Sequence, residues 1–450
     1  MTAKHYDLLV IGTGAAAGFI ATQICAAKWK VAIVDHRPFG GTCQLRGCDP
    51  KKVLRSGTVA FDYAQRMQGH GITGDSRIDW RTLMAFKRSF TDPVSEEKEK
   101  SFRDKGIDAY HGWARFTGKD SLEADGQAIQ ANYIVLASGA EPVKLGIPGE
   151  EHLVDNQSFM ALETLPRRIL MVGGGYIAAE FSHIAARAGA AVTVLQHGKR
   201  MLTQFEPELV DWLMESFESM GIDVRTGTSV ESIEKVGSAY RVQASSGGKK
   251  LSFDADLVVH AAGRKPDFGP LDLDAAGIAL EKGKLKLNGY LQSVSNRSVY
   301  AAGDAAQAGP PLTPVASLDA EVLVTNLLKG NKQKPDYTAV PSVAFTIPPI
   351  ASVGLSEREA DKQGKKFKVK SKQASDWFTA KQEVESVYGY KILIQDRTDK
   401  ILGAHLVGPH VDEVINVFAF AIRHGHTSKE LKDTVFAYPT GASDISSMLG

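Results

Sequence analysis

The feature that most constrains the fold is a strand, a glycine-rich turn, a helix and a second strand, an arrangement that the chain contains twice. In the first copy, an apolar strand leads into the glycine-rich segment 12–18, and a helix and the strand 31–35 follow. Gly12 permits a tight turn, Gly14 lets the backbone approach a pyrophosphate, and the small Ala17 allows the helix to pack on the strand. The pattern predicts a βαβ unit of a parallel α/β fold.

An acidic residue ends this first unit. Asp35 follows the glycine turn by about 20 residues, where a carboxylate can accept a hydrogen bond from a ribose 2′-hydroxyl. The N-terminus of the intervening helix offers free N–H groups to phosphate. With strand, turn, helix, strand and acid in this order, we predict a dinucleotide site; the alternative is an ordinary βαβ unit.

The second copy ends differently. A strand at 168–172 leads into Gly173 and Gly175, and the strand 191–195 is followed by a neutral residue and then by His197, Lys199 and Arg200. Two such units imply two dinucleotides, one of them a flavin cofactor. Because no carboxylate occupies the 2′-hydroxyl position, these three side chains suit a 2′-phosphate, which favours NADPH over NADH. The alternative is that they form only a solvated loop.

Charge, hydropathy and cysteine content exclude several classes of protein. The 450 residues suggest about three domains, and a formal net charge of +1 gives no support for nucleic-acid binding. No apolar stretch is long enough to span a bilayer, and the N-terminus lacks the apolar region and cleavage site of a signal peptide. Three cysteines are too few for a secreted disulfide scaffold. We expect a cytoplasmic protein with neither nucleic-acid nor membrane partners.

Two of the cysteines lie close together in the sequence. Cys43 and Cys48 are separated by four residues, which is not the spacing of a zinc knuckle, and we predict no metal site. In a helical turn their side chains would approach one face, where they could close a small ring, accept two electrons and exchange with a substrate disulfide. The alternative is a buried pair of free thiols. Cys25, among apolar residues of the first helix, is interpreted as a small buried hydrophobe.

The segment around this pair resembles the redox motif of the pyridine nucleotide–disulfide oxidoreductases, a family that includes glutathione reductase, dihydrolipoamide dehydrogenase and mercuric reductase. The motif reads Gly-Gly-Thr-Cys-x4-Cys-x-Pro-x-Lys over residues 40–52. Five further segments are similar to family motifs in the same order along the chain: 137–142, 262–266, 299–304, 312–316 and 345–354.

The resemblance implies an α/β fold with two Rossmann-like dinucleotide-binding domains and a C-terminal α+β dimerisation domain. It further implies FAD and NADPH as cofactors and a homodimer as the active form. The implied boundaries assign 1–146 and 266–337 to the FAD-binding domain, 147–265 to the NAD(P)H-binding domain and 338–450 to the interface domain.

The resemblance also assigns roles to individual side chains. Cys43 would be the thiol that attacks the substrate and Cys48 the thiol that faces the flavin ring. Lys52 would lie near the flavin N5 with Glu180 as the carboxylate that keeps it charged, and Tyr176 would cover the nicotinamide pocket unless it is only a packing aromatic. The other implied cofactor-binding positions are Gly41, Thr42, Ser138, Gly139, Gly263, Asp304, Leu312 and Thr313.

The C-terminal segment departs from the family. Where the family has a histidine and, five residues later, a glutamate from the partner subunit, this chain has Tyr438 and Ser443, and Asp444 is one place late. With a reference pKa of about 10, tyrosine is a poor base at neutral pH. Ordinary disulfide turnover is expected to be slow unless another group substitutes; His424 and His426 are near in sequence only.

Two acidic residues bear on the substrate and on the thiols. Glu321 stands where glutathione reductases have an arginine that binds a substrate carboxylate, which argues against glutathione. Asp49 adjoins Cys48 and should disfavour its thiolate. A tyrosine at position 438 resembles the mercuric reductases, but the chain lacks the C-terminal cysteine pair of those enzymes.

These patterns leave three functions open. The first is an NADPH-dependent, FAD-containing reductase of a small disulfide, similar to glutathione reductase. The second is a reductase of a soft metal ion or of a quinone. The third is a flavin redox sensor with little turnover.

Overall fold

The computed structural model describes residues 3–450. The chain divides into two compact units, each assembled from three separate segments of sequence. Of the described residues, the first unit comprises 3–51, 86–143 and 264–337, and the second comprises 52–85, 144–263 and 338–450. The boundaries predicted near residues 146, 265 and 337 between cofactor and interface domains stay a prediction.

The first unit is built on a mixed sheet whose centre is parallel. The strand Lys4–Ile11 pairs in parallel with Val31–Asp35 on one side and with Gln127–Leu136 on the other. The strand Gln127–Leu136 has two further partners: Val299–Ala301 pairs in parallel with its C-terminal half, and Ser121–Ala124 pairs antiparallel with its N-terminal half. The remaining strands of this unit are Asp108–His111, Ala114–Phe116, and the small pairs Ala140–Pro142 with Arg264–Pro266 and Leu280–Glu281 with Lys284–Leu285.

The apolar first strand is buried on both faces, as expected of a central parallel strand. Leu8 and Val10 pack with the helix Ala15–Ala26, whereas Leu9 and Ile11 belong to the core on the opposite face. Other helical segments of this unit are Gly41–Arg46, Val94–Asp104, the 3-10 turn Gly303–Ala305 and Thr313–Lys329. Two helices continue from one unit into the other: Cys48–Arg66 and Trp80–Thr91.

The second unit contains its own parallel sheet. Four parallel strands lie in the order Asp223–Thr226, Ala191–Gln196, Arg168–Val172 and Leu257–His260. A glycine turn connects the third of these, which is first in the chain, to the helix Tyr176–Arg187. The unit also contains the antiparallel strands Thr228–Val236, Ala239–Ser246 and Lys249–Ala255 and the helical segments Glu150–His152, Asn156–Phe159 and Pro207–Ser219.

The C-terminal part of the second unit is an α+β layer. Its antiparallel sheet has the strand order Ser342–Ala344, Ile350–Gly354, Ile401–Val407, Gly389–Gln395 and Phe367–Gln373. The helix Val411–His424 buries residues at i, i+3, i+4, i+7 and i+10 against this sheet, which is the stripe of an amphipathic helix. The short helical segments are Glu357–Lys362, Phe378–Lys381, Ser428–Asp433, Gly441–Asp444 and Ile445–Met448.

This architecture confirms the predicted fold class, with one Rossmann-like parallel sheet in each unit and an α+β C-terminal part. Across residues 3–450, no helix has the length and apolar character needed to cross a bilayer.

Candidate active site

The first glycine turn has room only for glycine. Gly12 has a φ of +105°, and a Cβ at this position would overlap the carbonyl oxygen of Ala137. Gly41 has a φ of +71°, and a Cβ there would overlap the Cα of Gly14. The two glycine turns therefore touch backbone to backbone. Since no side chain lies between them, the main-chain N–H groups at the start of the helix Ala15–Ala26 are open to a phosphate. Ala17 is fully buried where that helix packs on its strand.

Asp35 organises the loop at the end of the second strand. Its carboxylate accepts hydrogen bonds from the Thr13 N–H and hydroxyl, at 2.9 and 2.7 Å, and from the Arg37 N–H at 2.9 Å. Arg37 in turn pairs with the buried Asp267 at 3.0 Å. A carboxylate has about four acceptor positions, so Asp35 can still accept a ribose hydroxyl.

Two polar groups of the first unit, one buried and one partly buried, are suited to a cofactor. The Ser138 hydroxyl is buried and has no hydrogen-bond partner among residues 3–450. Buried polar atoms normally have partners, so this hydroxyl, next to the turn at Gly139, fits a polar group of FAD. Desolvation raises the pKa of the partly buried Asp304, and the charge of Arg264, 3.7 Å away, opposes that rise.

Asp319 was not predicted from the sequence, although it supports this site. It is fully buried on the helix Thr313–Lys329 and accepts the Gly303 N–H at 2.9 Å and the Tyr337 hydroxyl at 2.6 Å. The first bond fixes the turn that carries Asp304. The sequence feature that could have revealed Asp319 is a carboxylate among the apolar residues of this helix.

The two cysteines lie on either side of a helix break. Cys43 belongs to the helix Gly41–Arg46, and Cys48 begins the helix Cys48–Arg66. Gly47 between them has φ −144° and ψ −112°, and a Cβ there would lie 2.9 Å from the Thr42 carbonyl oxygen. The prediction of a single helical turn was therefore wrong in detail, because this glycine interrupts the helix. Both thiols are free, and Cys48 is exposed.

One hydroxyl group lies within hydrogen-bonding distance of both sulfur atoms. The Thr313 Oγ1 lies 3.3 Å from the Sγ of Cys43 and 3.4 Å from the Sγ of Cys48. Leu312 precedes it as the residue that caps the helix Thr313–Lys329. Because a hydroxyl has a single proton, it can donate to only one sulfur at a time. It is therefore placed to stabilise a thiolate on either sulfur.

Electrostatics assign that thiolate to Cys48. Its pKa is lowered to about 6, first by the hydrogen bond from Cys43 and then by Thr313 and the charge of Lys51. The same bond and burial raise the pKa of Cys43. The pair thus retains one proton, on Cys43, in the reduced state. Asp49 opposes the Cys48 thiolate as predicted, but its contribution is smaller than those that favour it.

Lys52 and Glu180, predicted as partners, both lie against Phe345. The Lys52 Nζ is 3.8 Å from the centre of the Phe345 ring, and the buried Glu180 accepts the Phe345 N–H at 2.8 Å. Lys52 also lies 3.5 Å from Asp412, a residue that the sequence did not single out. Asp412 is more than 350 positions away in sequence, so only the fold reveals this neighbour.

The second glycine turn repeats the geometry of the first. Gly173 has a φ of +113°, and a Cβ there would overlap the carbonyl of Ala261. The next residues, Gly175 and Tyr176, begin the helix whose N-terminus can receive a phosphate. The Tyr176 hydroxyl lies 2.5 Å from Ser342 Oγ, and burial raises its pKa.

The loop that follows the strand Ala191–Gln196, at the end of the second βαβ unit, suits the 2′ end of a nucleotide. Gln196 stands at the acid position and donates to the Arg200 carbonyl at 3.2 Å. His197 and Lys199 are exposed, while the Nε of Arg200 is buried without a hydrogen-bond partner among residues 3–450. Gly263, with a φ of +113°, ends the segment that follows the Leu257–His260 strand. The donors present here therefore fit a nicotinamide nucleotide.

The C-terminal segment presents a tyrosine to solvent. Tyr438 is 78% exposed, and its ring lies 6.5 Å from that of Phe378. Ser443 donates its hydroxyl to the Thr440 carbonyl at 2.6 Å, and Asp444 accepts the Tyr388 hydroxyl at 2.7 Å. Ser443, at the position of the family's glutamate, and Asp444, beside it, therefore both bond within their own chain and stabilise the local fold.

Comparison with known proteins agrees with this geometry. The family model "Pyridine nucleotide-disulphide oxidoreductase" matches residues 6–320, and its dimerisation domain matches 340–449. The chain is 32% identical to a mercuric reductase of Staphylococcus aureus, over 98% of this chain and 81% of that one. It is 30% identical to a glutathione reductase of Burkholderia cepacia, over 99% and 98%.

Among solved structures, the fold is similar to the Cu(II) complex of the HOCl-induced flavoprotein disulfide reductase RclA of Escherichia coli. The TM-score is 0.88 at 25% identity, over 100% of this chain and 99% of that one. The chain therefore belongs to the pyridine nucleotide–disulfide oxidoreductase family and is a flavoenzyme that uses FAD and NAD(P)H.

Proposed function

We propose that this enzyme carries electrons from NADPH through FAD to the Cys43–Cys48 disulfide and from the reduced pair to a small disulfide substrate. The observation that carries the proposal is the Thr313 hydroxyl, 3.3 and 3.4 Å from the two sulfur atoms. A pair held in this way has one sulfur that is readily a thiolate and one that keeps a proton, which is the division of labour that thiol–disulfide exchange needs.

The bound flavin supplies the two-electron transfer between the nicotinamide and the cysteine pair. In the reduced pair, Cys43 loses its proton and attacks one sulfur of the substrate, which breaks the substrate S–S bond and releases the first thiolate. Cys48, whose pKa of about 6 keeps it ionised at neutral pH, then attacks Cys43. The second thiolate leaves, the Cys43–Cys48 disulfide forms again, and the two leaving thiolates take up two protons.

We propose the following roles for the surrounding side chains. Lys52, held by Phe345 and Asp412, would place a positive charge beside the flavin, and the buried Glu180 would help to keep it charged. Tyr176 would cover the nicotinamide. His197, Lys199 and Arg200 would bind the 2′-phosphate of NADPH, and the neutral Gln196 would remove the barrier that a carboxylate presents to it.

We also propose that the enzyme acts as a homodimer in the cytoplasm. The match to the dimerisation domain over 340–449 supports the dimer, and Tyr438, 78% exposed, is free to approach the thiols of the other subunit. A redox-active cysteine pair in a chain with only three cysteines favours a reducing compartment.

Reduction of a soft metal ion is the second candidate. It is favoured by the mercuric reductase relative and by the likeness to RclA in complex with Cu(II), and two thiols are the ligands that soft ions prefer. Within the described part of the chain, no three His, Cys, Asp or Glu side chains are grouped as metal ligands. A metal substrate would therefore be bound by Cys43 and Cys48 alone.

The test is anaerobic NADPH consumption by the purified flavoprotein with glutathione disulfide, other small disulfides, Hg(II), Cu(II) and a quinone. We expect turnover with a disulfide that Cys43→Ser abolishes. Glu321, exposed on the helix Thr313–Lys329, leads us to expect glutathione disulfide to be a poorer substrate than an uncharged disulfide.

Turnover with only a metal ion, again lost in Cys43→Ser, would replace the first candidate by the second. Quinone turnover that survives this substitution would mean that the flavin serves the acceptor directly. Reduction by NADPH without repeated turnover on any acceptor would indicate a sensor.

A further inference from the structure

A histidine–carboxylate pair lies beside the C-terminal segment. The Nε2 of His410 is 2.8 Å from an oxygen of Glu383, and about half of the histidine side chain is exposed. His410 has a φ of +59°, a left-handed conformation that few residues other than glycine adopt. Such a conformation persists only where its surroundings impose it, and it is frequent at functional sites.

This pair and Tyr438 belong to one surface. A Cβ on Gly441 would lie 2.9 Å from the Cβ of His410, so the histidine packs directly against the segment 438–444. Phe378, which begins the short helix just before Glu383, contacts the ring of Tyr438. Three stretches of chain therefore meet here: 378–383 with the carboxylate, the start of the helix Val411–His424 with the histidine, and 438–444 with the tyrosine.

Glu383 is held in place from the other side. The guanidinium of Arg66 donates a hydrogen bond to the Glu383 carbonyl and lies 3.8 Å from Glu385. Asp62 accepts from Arg66 at 2.9 Å and from the buried Arg187 at 2.6 Å. The backbone of the residue that orients the histidine is thus fixed by a guanidinium that is itself ion-paired, as the supports of positioned catalytic side chains are.

The charges that face His410 favour its protonated form. The hydrogen bond that His410 donates to Glu383 raises the pKa of His410, and the charges of Glu383, Asp412 and Asp444 add to this, while burial opposes it. Because Nε2 is bonded to Glu383, Nδ1 is the ring nitrogen left to exchange a proton with another group. An imidazole can both take up a proton and give it up, which is what a general acid–base group needs.

We propose that His410, oriented by Glu383, is the general acid–base group of thiol exchange and replaces the histidine that is absent at position 438. The inference rests on the proposed function and on its homodimer, in which His410 would act on the thiols of the other subunit. It takes the proton of Cys43 as that sulfur attacks the substrate and returns it to the first leaving thiolate. A second proton, drawn from solvent through the same ring, neutralises the second leaving thiolate when Cys48 attacks Cys43.

The test compares His410→Asn with His426→Asn. Asparagine tolerates the left-handed conformation, and His426 is a matched control because it too lies near a carboxylate, 3.6 Å from Glu430. The measurement is the exchange rate of the NADPH-reduced enzyme with bis(hydroxyethyl) disulfide as a function of pH. Reduction by NADPH is recorded separately, together with the sedimentation of each dimer.

We expect His410→Asn to exchange at least ~10²-fold more slowly at neutral pH and to lose one ionisation from the profile, with NADPH reduction unchanged. Glu383→Gln should move that ionisation to lower pH. His426→Asn should match the wild type. Equal rates and profiles for His410→Asn and His426→Asn would overturn the inference alone. A wild type that is reduced by NADPH yet never exchanges would instead refute the proposed function.

Mixed dimers show whether His410 acts on the thiols of its own subunit or on those of the other subunit. Under the proposal, the Cys43→Ser homodimer does not exchange and the His410→Asn homodimer exchanges slowly. Mixing them should restore exchange, because one site of the hybrid then has an intact cysteine pair from one chain and His410 from the other. No recovery in verified hybrids would overturn action across the interface.

Discussion

The Thr313 hydroxyl should contribute to the low pKa of Cys48, after the larger effect of the hydrogen bond from Cys43. Thr313→Val removes the hydroxyl with little change in shape, and Thr313→Ser retains it. A hydrogen bond to a charged group contributes about 1.5–3 kcal/mol, and one pKa unit corresponds to about 1.4 kcal/mol. Since Cys48 is exposed, water replaces part of the lost bond. We therefore expect an upward shift of about one unit, from a pKa of about 6.

The sign of the pH effect follows from this direction. A lowered pKa means that the Cys48 thiolate predominates above about pH 6 and is lost as the pH falls through that value. In Thr313→Val the loss should begin about one unit higher, so that the attack of Cys48 on Cys43 slows already near neutral pH. The thiol form of Cys48 is a much weaker nucleophile.

The assay is an anaerobic pH titration of the NADPH-reduced enzyme. Thiolate absorbance in the ultraviolet is followed together with iodoacetamide alkylation of each cysteine by mass spectrometry. Flavin content must equal that of the wild type, because Thr313 also lies in a cofactor-binding motif. An identical Cys48 titration in Thr313→Val and Thr313→Ser would refute the assignment of the hydroxyl to the thiolate.

Three further substitutions test other parts of the account. Gly12→Ala should abolish flavin binding, because its Cβ has no room, whereas Gly106→Ala, also at positive φ but in open space, should keep the flavin; equal flavin content would contradict this. Arg187→Leu removes the 2.6 Å partner of Asp62, which keeps its 2.9 Å bond from Arg66, and should cost about 1.5–3 kcal/mol in chemical denaturation; a loss below about 1 kcal/mol would show that the pair is not structural. Lys199→Ala should raise the KM for NADPH several-fold and leave that for NADH unchanged, and an equal effect on both nucleotides would exclude a 2′-phosphate contact.

Local patterns carried the prediction of the fold. The glycines at 12 and 173 are required by positive φ and by carbonyls that would meet a Cβ, and such requirements leave a fixed spacing in the sequence. The buried first strand likewise reads as a continuous apolar run. The cysteine spacing identified the redox pair, but it could not reveal that Gly47 breaks the helix between the two thiols.

Contacts between distant residues could not be predicted in the same way. Thr313 is 270 positions from Cys43, and no pattern in a single sequence joins them. His410 was overlooked because a histidine before a helix has no distinctive spacing; its left-handed backbone and its bond to Glu383 are properties of the folded chain. Sequence reasoning instead considered His424 and His426, which surround the exposed ring of Phe420.

The central claim is that two of the enzyme's electrons reside on Cys43 and Cys48, and an anaerobic NADPH titration tests it most directly. The wild type should consume about two equivalents of NADPH per chain, one for the flavin and one for the disulfide, and Cys43→Ser about one. Thiol counting should show two new thiols in the wild type only. Equal uptake of about one equivalent by both proteins, with no new thiols, would contradict the account.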